Sequence, residues 1–255
     1  MTAPYSQYLL DPVGGLRPAP AGAPPSSWAC LRVGGADAQA FLQGQLSGDV
    51  RDPEPRWTAY NSPKGRMLAV LHLARDDEFF DLHLPGALLE PVAKRLRMFV
   101  LRSKVSIETR AASECDDSAQ MRDRRALIDA GVPVIYPQTQ DRWVAQMGNL
   151  DLLGGISFDK GCYTGQEVVA RLHYLGNLKK RLFLVRGHGP APGPGTDIRN
   201  AAGDAQAVGD IVDAVPEGDG FVASAVLQLA VADAETLHLA REEASALSRP
   251  QVYAY

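Results

Sequence analysis

The sequence predicts an α+β protein in which a mostly antiparallel, helix-backed sheet is followed by a small β-barrel. Three observations carry that reading. Residues 67–110 run strand, strand, helix, strand, the order of a helix-backed antiparallel sheet. Beyond Arg181 the texture changes to short apolar runs separated by Gly- and Pro-rich turns, as in a barrel or sandwich. Across the 255 residues, 45% are hydrophobic and 22% charged, which excludes wholesale disorder and fibrous architectures.

The elements follow in order. Asp11–Pro25 is rich in Pro, Gly and Ala and reads as an irregular lead-in. Residues 1–25 lack a basic stretch leading into an apolar run, and no segment approaches about 18 consecutive apolar residues. A cytoplasmic protein without membrane contact is therefore expected. Patterning starts near Trp28, and Asp37 is a candidate cap for a short helix carrying Phe41, Leu42 and Leu46, with Asp49 beyond its end. The turn Asn61–Gly65 precedes a buried strand over Met67–Ala74. Glu78–Leu84 alternates, with Phe80, Leu82 and Leu84 on one face, and Asp76-Asp77 makes the hairpin turn. Pro91 in a first turn, with Val92, Leu96, Phe99 and Val100, predicts an amphipathic helix, and Val105 and Ile107 predict a third strand. Ser118–Ala130 is a further helix, ended by Gly131 and Pro133, and 132–155 is irregular. Barrel strands are expected over Leu182–Val185, Ala207–Val215, Gly220–Leu227 and Thr236–Leu239, with a boundary near Lys179–Arg181.

Charge is uneven. The net charge of −4 does not suggest a nucleic-acid binder. Val168–Arg186 carries five basic residues (Arg171, Lys179, Lys180, Arg181, Arg186) and no acidic one, while Ala201–Ser245 holds nine acidic residues against Arg241 alone. This is either a solvated face or a seat for an anionic ligand. The three cysteines, Cys30, Cys115 and Cys162, are widely spaced and build neither a disulfide framework nor a four-thiolate zinc site. The histidines (His72, His83, His173, His188, His238) show no metal-ligand spacing, so no metal site is expected. Glycine-rich nucleotide loops and a Gly-x-Ser-x-Gly elbow are absent from the sequence.

The chemistry concentrates in Asp159–Glu167. Thr164 and Glu167 have the spacing of a capping box ahead of Val168, Val169 and Leu172, with Gly176 ending the helix near Tyr174. Cys162 then lies just before a helix start, where free amides, the helix dipole and Lys160 favour thiolate, and Gly161 and Gly165 permit close approach. The competing reading makes Cys162 a small buried hydrophobe, and Cys30, in the apolar run Trp28–Val33, and Cys115 are assigned to that class.

Lys160-Gly161-Cys162-Tyr163-Thr164-Gly165-Gln166-Glu167 resembles the signature of the YgfZ family, Lys-Gly-Cys-aromatic-x-Gly-Gln-Glu, at every specified position. Its surroundings match as well: Asn149-Leu150, Gly154–Phe158, Val169-Ala170-Arg171, Phe41–Leu46 with Asp49, Tyr60–Met67 and Ser103–Val105, so the likeness spans roughly Trp28 to Leu239. The resemblance implies a fold like the glycine-cleavage T-protein. Residues 1–180 would form the folate-binding region, a discontinuous first domain with a ferredoxin-like module at about 66–110, and residues 181–255 a C-terminal barrel. It implies a tetrahydrofolate-binding accessory factor that supports assembly or repair of iron–sulfur enzymes, including a radical enzyme that thiomethylates tRNA. Partners are then iron–sulfur enzymes or cluster carriers, with no direct nucleic-acid contact. By resemblance Cys162 and Lys160 are the functional pair, with a cluster held transiently through Cys162. Gln43, Gln45, Lys64, Arg66, Tyr163, Gln166, Glu167 and Arg171 are the folate-contact candidates, and the basic stretch would receive an anionic polyglutamyl tail. The aminomethyltransferase relatives place a catalytic aspartate after the turn that here reads Lys64-Gly65-Arg66. The matching stretch, Met67–Leu71, is apolar, which weighs against the alternative of a folate-dependent methyl- or aminomethyltransferase. A module acting directly on tRNA is a third reading, disfavoured by the acidic balance.

Overall fold

The structure is a computed structural model and describes residues 24–54, 56–112, 116–176, 178–200, 206–235, 237–240 and 246–253. The predicted lead-in before residue 24 and Cys115 lie outside the described residues. Two antiparallel sheets organise the chain. The first contains β1 (Ala29–Gly34), β2 (Arg56–Asn61), β3 (Met67–Arg75), β4 (Phe79–Leu84) and β5 (Ser106–Arg110) in the order β2-β3-β4-β1-β5. Helices α1 (Ala38–Gln43) and α2 (Leu89–Arg97) belong to the same region. Taking β1, α1, β3, β4, α2 and β5 in turn gives the split β-α-β arrangement of ferredoxin-like folds, with β2 added beside β3. The module therefore draws β1 and α1 from upstream of residue 66, and the strand between β4 and β5 is the first one in the chain.

Most local expectations hold, with instructive exceptions. β3 and β4 fall where alternation put them, and Phe80, Leu82 and Leu84 are buried. Helix α3 (Asp117–Asp129) is capped by Asp116, whose carboxylate accepts from the Ala119 amide at 2.7 Å, and Gly131 follows at φ 66°. Asp37 does not cap α1 through its side chain; its carboxylate instead accepts from the Lys104 amide at 2.7 Å and ties α1 to the approach of β5. Helix α2 stops at Arg97, so Phe99 lies beyond it and is 41% exposed beside Met98 and Leu101.

The second sheet contains β6 (Lys180–His188), β7 (Asp197–Arg199), β8 (Ala207–Glu217), β9 (Gly220–Gln228), β10 (Leu237–Leu239), β11 (Ala246–Leu247) and β12 (Gln251–Val252). Pairing of β11 with β6 at Gly187 closes six of these strands into a barrel, and β12 pairs further along the same edge of β6, opposite Phe183 and Leu184. Phe183, Val185, Phe221, Ala223, Ala225 and Leu227 fill the barrel interior. Their neighbours Leu182, Leu184, Val222 and Val226 point the other way into the core that contains the first sheet. Both faces of β6 and β9 are thus buried, which is why these strands read as continuous apolar runs rather than alternating ones. A polar knot adds to the seam: Arg124 of α3 donates to both Asp213 carboxylate oxygens, and the Tyr136 hydroxyl donates to Asp213 at 2.9 Å. No helix among the described residues is long and apolar enough to cross a membrane.

Candidate functional site

Three segments far apart in sequence converge: the loop Gly44–Val50 after α1, the turn Ser62–Gly65 between β2 and β3, and the signature Lys160–Glu167. The loop is fixed first. Buried Ser47 accepts the Ala59 amide at 2.9 Å and donates to the Gly155 carbonyl at 2.7 Å, while the Gly48 amide donates to Thr58 Oγ1 at 2.8 Å. Gln43 closes the loop from inside, donating to Asp49 and accepting the Val50 amide, both at 3.0 Å. Its side chain is therefore committed to the loop. Asp49, held by Arg51 and Gln43, lies well below the usual carboxylate range.

The signature docks onto this frame through backbone and through Lys160. The Thr164 amide donates to the Gly44 carbonyl at 3.2 Å. Gly165 sits at φ +80°, and a Cβ there would lie 2.6 Å from the Ser62 carbonyl oxygen and 2.7 Å from Gly65 Cα. Gly65, at φ +70°, is packed reciprocally, since a Cβ on it would lie 2.7 Å from Val168 Cβ. Two backbones approach as closely as chains without side chains allow. Helix α4 (Gln166–Leu175) begins here with Gly165 as its N-cap and ends at Gly176 with φ 55°. The expected Thr164–Glu167 capping box does not form, because the left-handed Gly165 moves the helix start one residue on. Gln166 supplies the nearest substitute, its Oε1 accepting from the Tyr163 amide at 3.3 Å.

Cys162 is exposed, outside the first turn of α4. Lys160 is buried, 6% exposed, and its ammonium donates to the carbonyls of Leu46 and Gly48, each at 2.7 Å, with the Tyr163 ring 5.1 Å away. Burial pulls its pKa down from 10.5 to about 8, with Asp49 opposing and Arg51 assisting. Lys160 thus staples the signature to the loop. The amine and ammonium forms have a measurable consequence. In the unfolded chain the ammonium persists to about pH 10.5, while in the fold it deprotonates near pH 8. Between these values the unfolded state binds more protons, so stability rises with pH. Wild type should gain up to about 3 kcal/mol over that window in urea unfolding, whereas Lys160→Met should not. Parallel curves for the two proteins would contradict this account.

The remaining candidates separate clearly. Gln45 is buried, and its Oε1 has no partner among the described residues. Tyr163 is buried with an unpartnered hydroxyl, and burial pushes its pKa up to about 12. Lys64, Glu167 and Arg171 are exposed. Arg66 is spent on the Arg142 carbonyl. The basic stretch proves largely neutralised: Arg181 pairs with Asp151 through two bonds of 2.5 and 2.8 Å, Arg186 with Glu217 at 2.9 Å, and Lys180 approaches Asp210 at 4.0 Å. It does not form an open anion cradle.

Sequence reasoning missed Tyr60, Asn61 and Arg95. Tyr60 forms a bridge pair with Leu46, next to Gln45, and a register irregularity follows between Tyr60 and Asn61. Both polar atoms of the Asn61 side chain are buried without partners among the described residues, and the buried Tyr60 hydroxyl has Arg95 near it but outside good hydrogen-bond geometry. Arg95 of α2 reaches toward Tyr60, partly offsetting the burial that pushes its phenol up to about 12, and its Nε is also unpartnered. Buried polar groups are ordinarily satisfied. Gln45, Tyr60 and Asn61 lie on touching segments. The Met67–Leu71 strand contributes no carboxylate, and Asp76 caps its own exposed turn through the amides of Glu78 and Phe79. Asp141 enters from another segment, accepting the Ser62 hydroxyl at 2.6 Å.

A scan against protein-family models finds no match. Among curated proteins, the chain is 27% identical to the tRNA-modifying protein YgfZ of Cronobacter sakazakii, over 86% of this chain and 88% of that one. It is also 27% identical to the protein of that name from Escherichia coli O157:H7, over 86% and 89%. An uncharacterized protein of Haemophilus influenzae is 31% identical over 61% of this chain and 70% of its own length. The glycine cleavage system aminomethyltransferase T from Bartonella henselae superposes with a TM-score of 0.55 at 13% identity, covering 88% of this chain and 83% of that one, a likeness of fold.

Proposed function

This chain belongs to the YgfZ family, and from that premise we propose that it is a folate-binding accessory protein supporting the assembly or repair of iron–sulfur enzymes, tRNA-thiomethylating radical enzymes among them. The observation that supports this best is the convergence of loop, turn and signature, which leaves Cys162 exposed next in sequence to Tyr163, whose hydroxyl is buried and unpartnered among the described residues. The donor set suits a reduced pterin. Gln45 Oε1 accepts, the Asn61 amide both donates and accepts, and the Tyr60 and Tyr163 hydroxyls can do either. These four residues are the ones we assign to holding tetrahydrofolate, which when bound carries one-carbon units. Around it, Lys160 fixes the loop, and Arg95 places positive charge near Tyr60.

Cys162 offers a soft sulfur donor to iron or to a cluster delivered as cargo. One thiolate cannot complete a four-thiolate site, so the client or carrier protein supplies the rest. This makes the chain a helper rather than a turnover enzyme. Calorimetry with tetrahydrofolate should show binding by wild type, weakened about tenfold in Asn61→Leu. Absence of binding by the wild-type protein would overturn the folate assignment. Incubation with an aminomethyl donor and tetrahydrofolate should release no ammonia above background. The second reading, aminomethyl transfer, rests on Asp141, the carboxylate bonded to Ser62 beside Asn61. Turnover by wild type that is lost in Asp141→Asn would establish it.

A further inference from the structure

We propose that Cys30, Asp81 and His83 form a binding site for a divalent metal ion of zinc(II) type on the outer face of the first sheet. Cys30 and His83 are direct partners across the β1–β4 pair, and Asp81 lies two residues before His83, so all three side chains share one face. Their sulfur, oxygen and nitrogen atoms lie within 4.8 Å of one another. A tetrahedral zinc site with bonds of about 2.0–2.3 Å separates its ligand atoms by roughly 3.4–3.6 Å. Closing the trio onto an ion therefore asks for side-chain shifts of about 1 Å. The faces of the strands explain why the sequence hid the site: two ligands come from β4 at i and i+2, and the third lies some fifty residues earlier on β1.

The hydrogen bonds show how the ion would be accommodated. Cys30 Sγ now donates to Asp81 Oδ1 at 3.6 Å. Arg32 donates to the same oxygen through Nε at 2.7 Å and to Oδ2 through Nη2 at 2.6 Å. On metal binding the thiol proton leaves to solvent, a sulfur–metal bond forms, and the Oδ1 lone pair released by the thiol turns to the ion. Arg32 keeps its two bonds and orients the carboxylate, as outer partners of metal ligands do. Half-burial of the trio leaves room for water as a fourth ligand. Thiolate, imidazole and carboxylate together suit zinc. The charges facing the site are Arg32, with Asp76 at 4.0 Å, and Arg110, which opposes Cys30 across β5 and is paired with Glu108 at 3.6 Å. This site shares no residue with the Cys162 assembly, and its test is independent of the folate reading.

The probe is cobalt(II), titrated anaerobically into the full-length protein and read by thiolate-to-cobalt charge-transfer absorption. One equivalent should saturate the band. Cys162→Ser and Cys115→Ser should keep it, and Cys30→Ser should lose it. His83→Gln should weaken binding at least about tenfold, as should Arg32→Gln. Zinc should bleach the band by displacing cobalt. No band in wild type, a band that survives Cys30→Ser, or one that disappears in Cys162→Ser would overturn the assignment. Should Cys30→Ser fail to fold by circular dichroism, His83→Gln decides, since unchanged affinity in that variant ends the proposal.

Discussion

Replacing Cys162 by alanine is expected to abolish support of iron–sulfur enzymes in a strain lacking its own factor while leaving the fold intact. The sulfur is exposed, so its removal opens no cavity, and stability should change by no more than about ±0.5 kcal/mol. Two companions separate sulfur chemistry from local backbone. Cys162→Ser keeps size and polarity and should fail equally. Gly161→Ala, where an added methyl meets nothing within 4 Å, should complement as wild type does. The measurement is activity of a thiomethylating client in complemented cells beside thermal unfolding of each purified variant. Full complementation by Cys162→Ala would remove the sulfur from the mechanism and leave the signature as a docking element.

That docking element yields the other large effect. Gly165→Ala should destabilise the protein by about 2–4 kcal/mol, because a left-handed residue gains a Cβ and that Cβ falls on Ser62 and Gly65 backbone. For a chain of this size each kcal/mol moves Tm by roughly 2–4 °C. Gly65→Ala should behave alike, and the double variant should be less than additive, since either methyl alone already forces the two backbones apart. Wild-type stability in Gly165→Ala would mean that the turn and signature separate easily, and that the close approach is incidental.

How much of this was readable beforehand depends on the range of the interactions. Strands β3 and β4, helix α3 and the Gly176 stop are set by alternation, a capping aspartate and glycine conformations, all local, and all appear at their expected places. The exposed Cys162 before a helix was legible for the same reason. The position of β1 was not, because its partners lie in β4 and β5 and nothing in Ala29–Gly34 announces them. Nor was the task of Lys160: its acceptors are over a hundred residues away, and beside a cysteine it reads as a charge for the thiol. The capping box failed because Thr-x-x-Glu spacing says nothing about a φ of +80° at the residue between. Gln43 and Gln45 looked equivalent in sequence. One is consumed by Asp49 and Val50, and the other is left unpartnered, a distinction made by the path of the loop. The basic stretch looked free because its neutralising carboxylates, Asp151, Asp210 and Glu217, come from other segments.

The central place of β1 has a consequence during synthesis. The strand leaves the ribosome before either of its partners, so both of its edges wait: β4 for one side and β5 for the other. At about 5–20 residues per second, β5 is complete roughly 4–15 s after β1. Until β4 arrives the nascent chain carries Ala29, Leu31 and Val33 with both rows of amides and carbonyls unmet, and the row that β5 will cover stays open to the end of the interval, an invitation to neighbouring chains. Soluble yield should therefore respond to translation speed and to holding chaperones more than the stability of the finished protein would suggest. Fragments ending before Ser106 should aggregate where the whole chain does not.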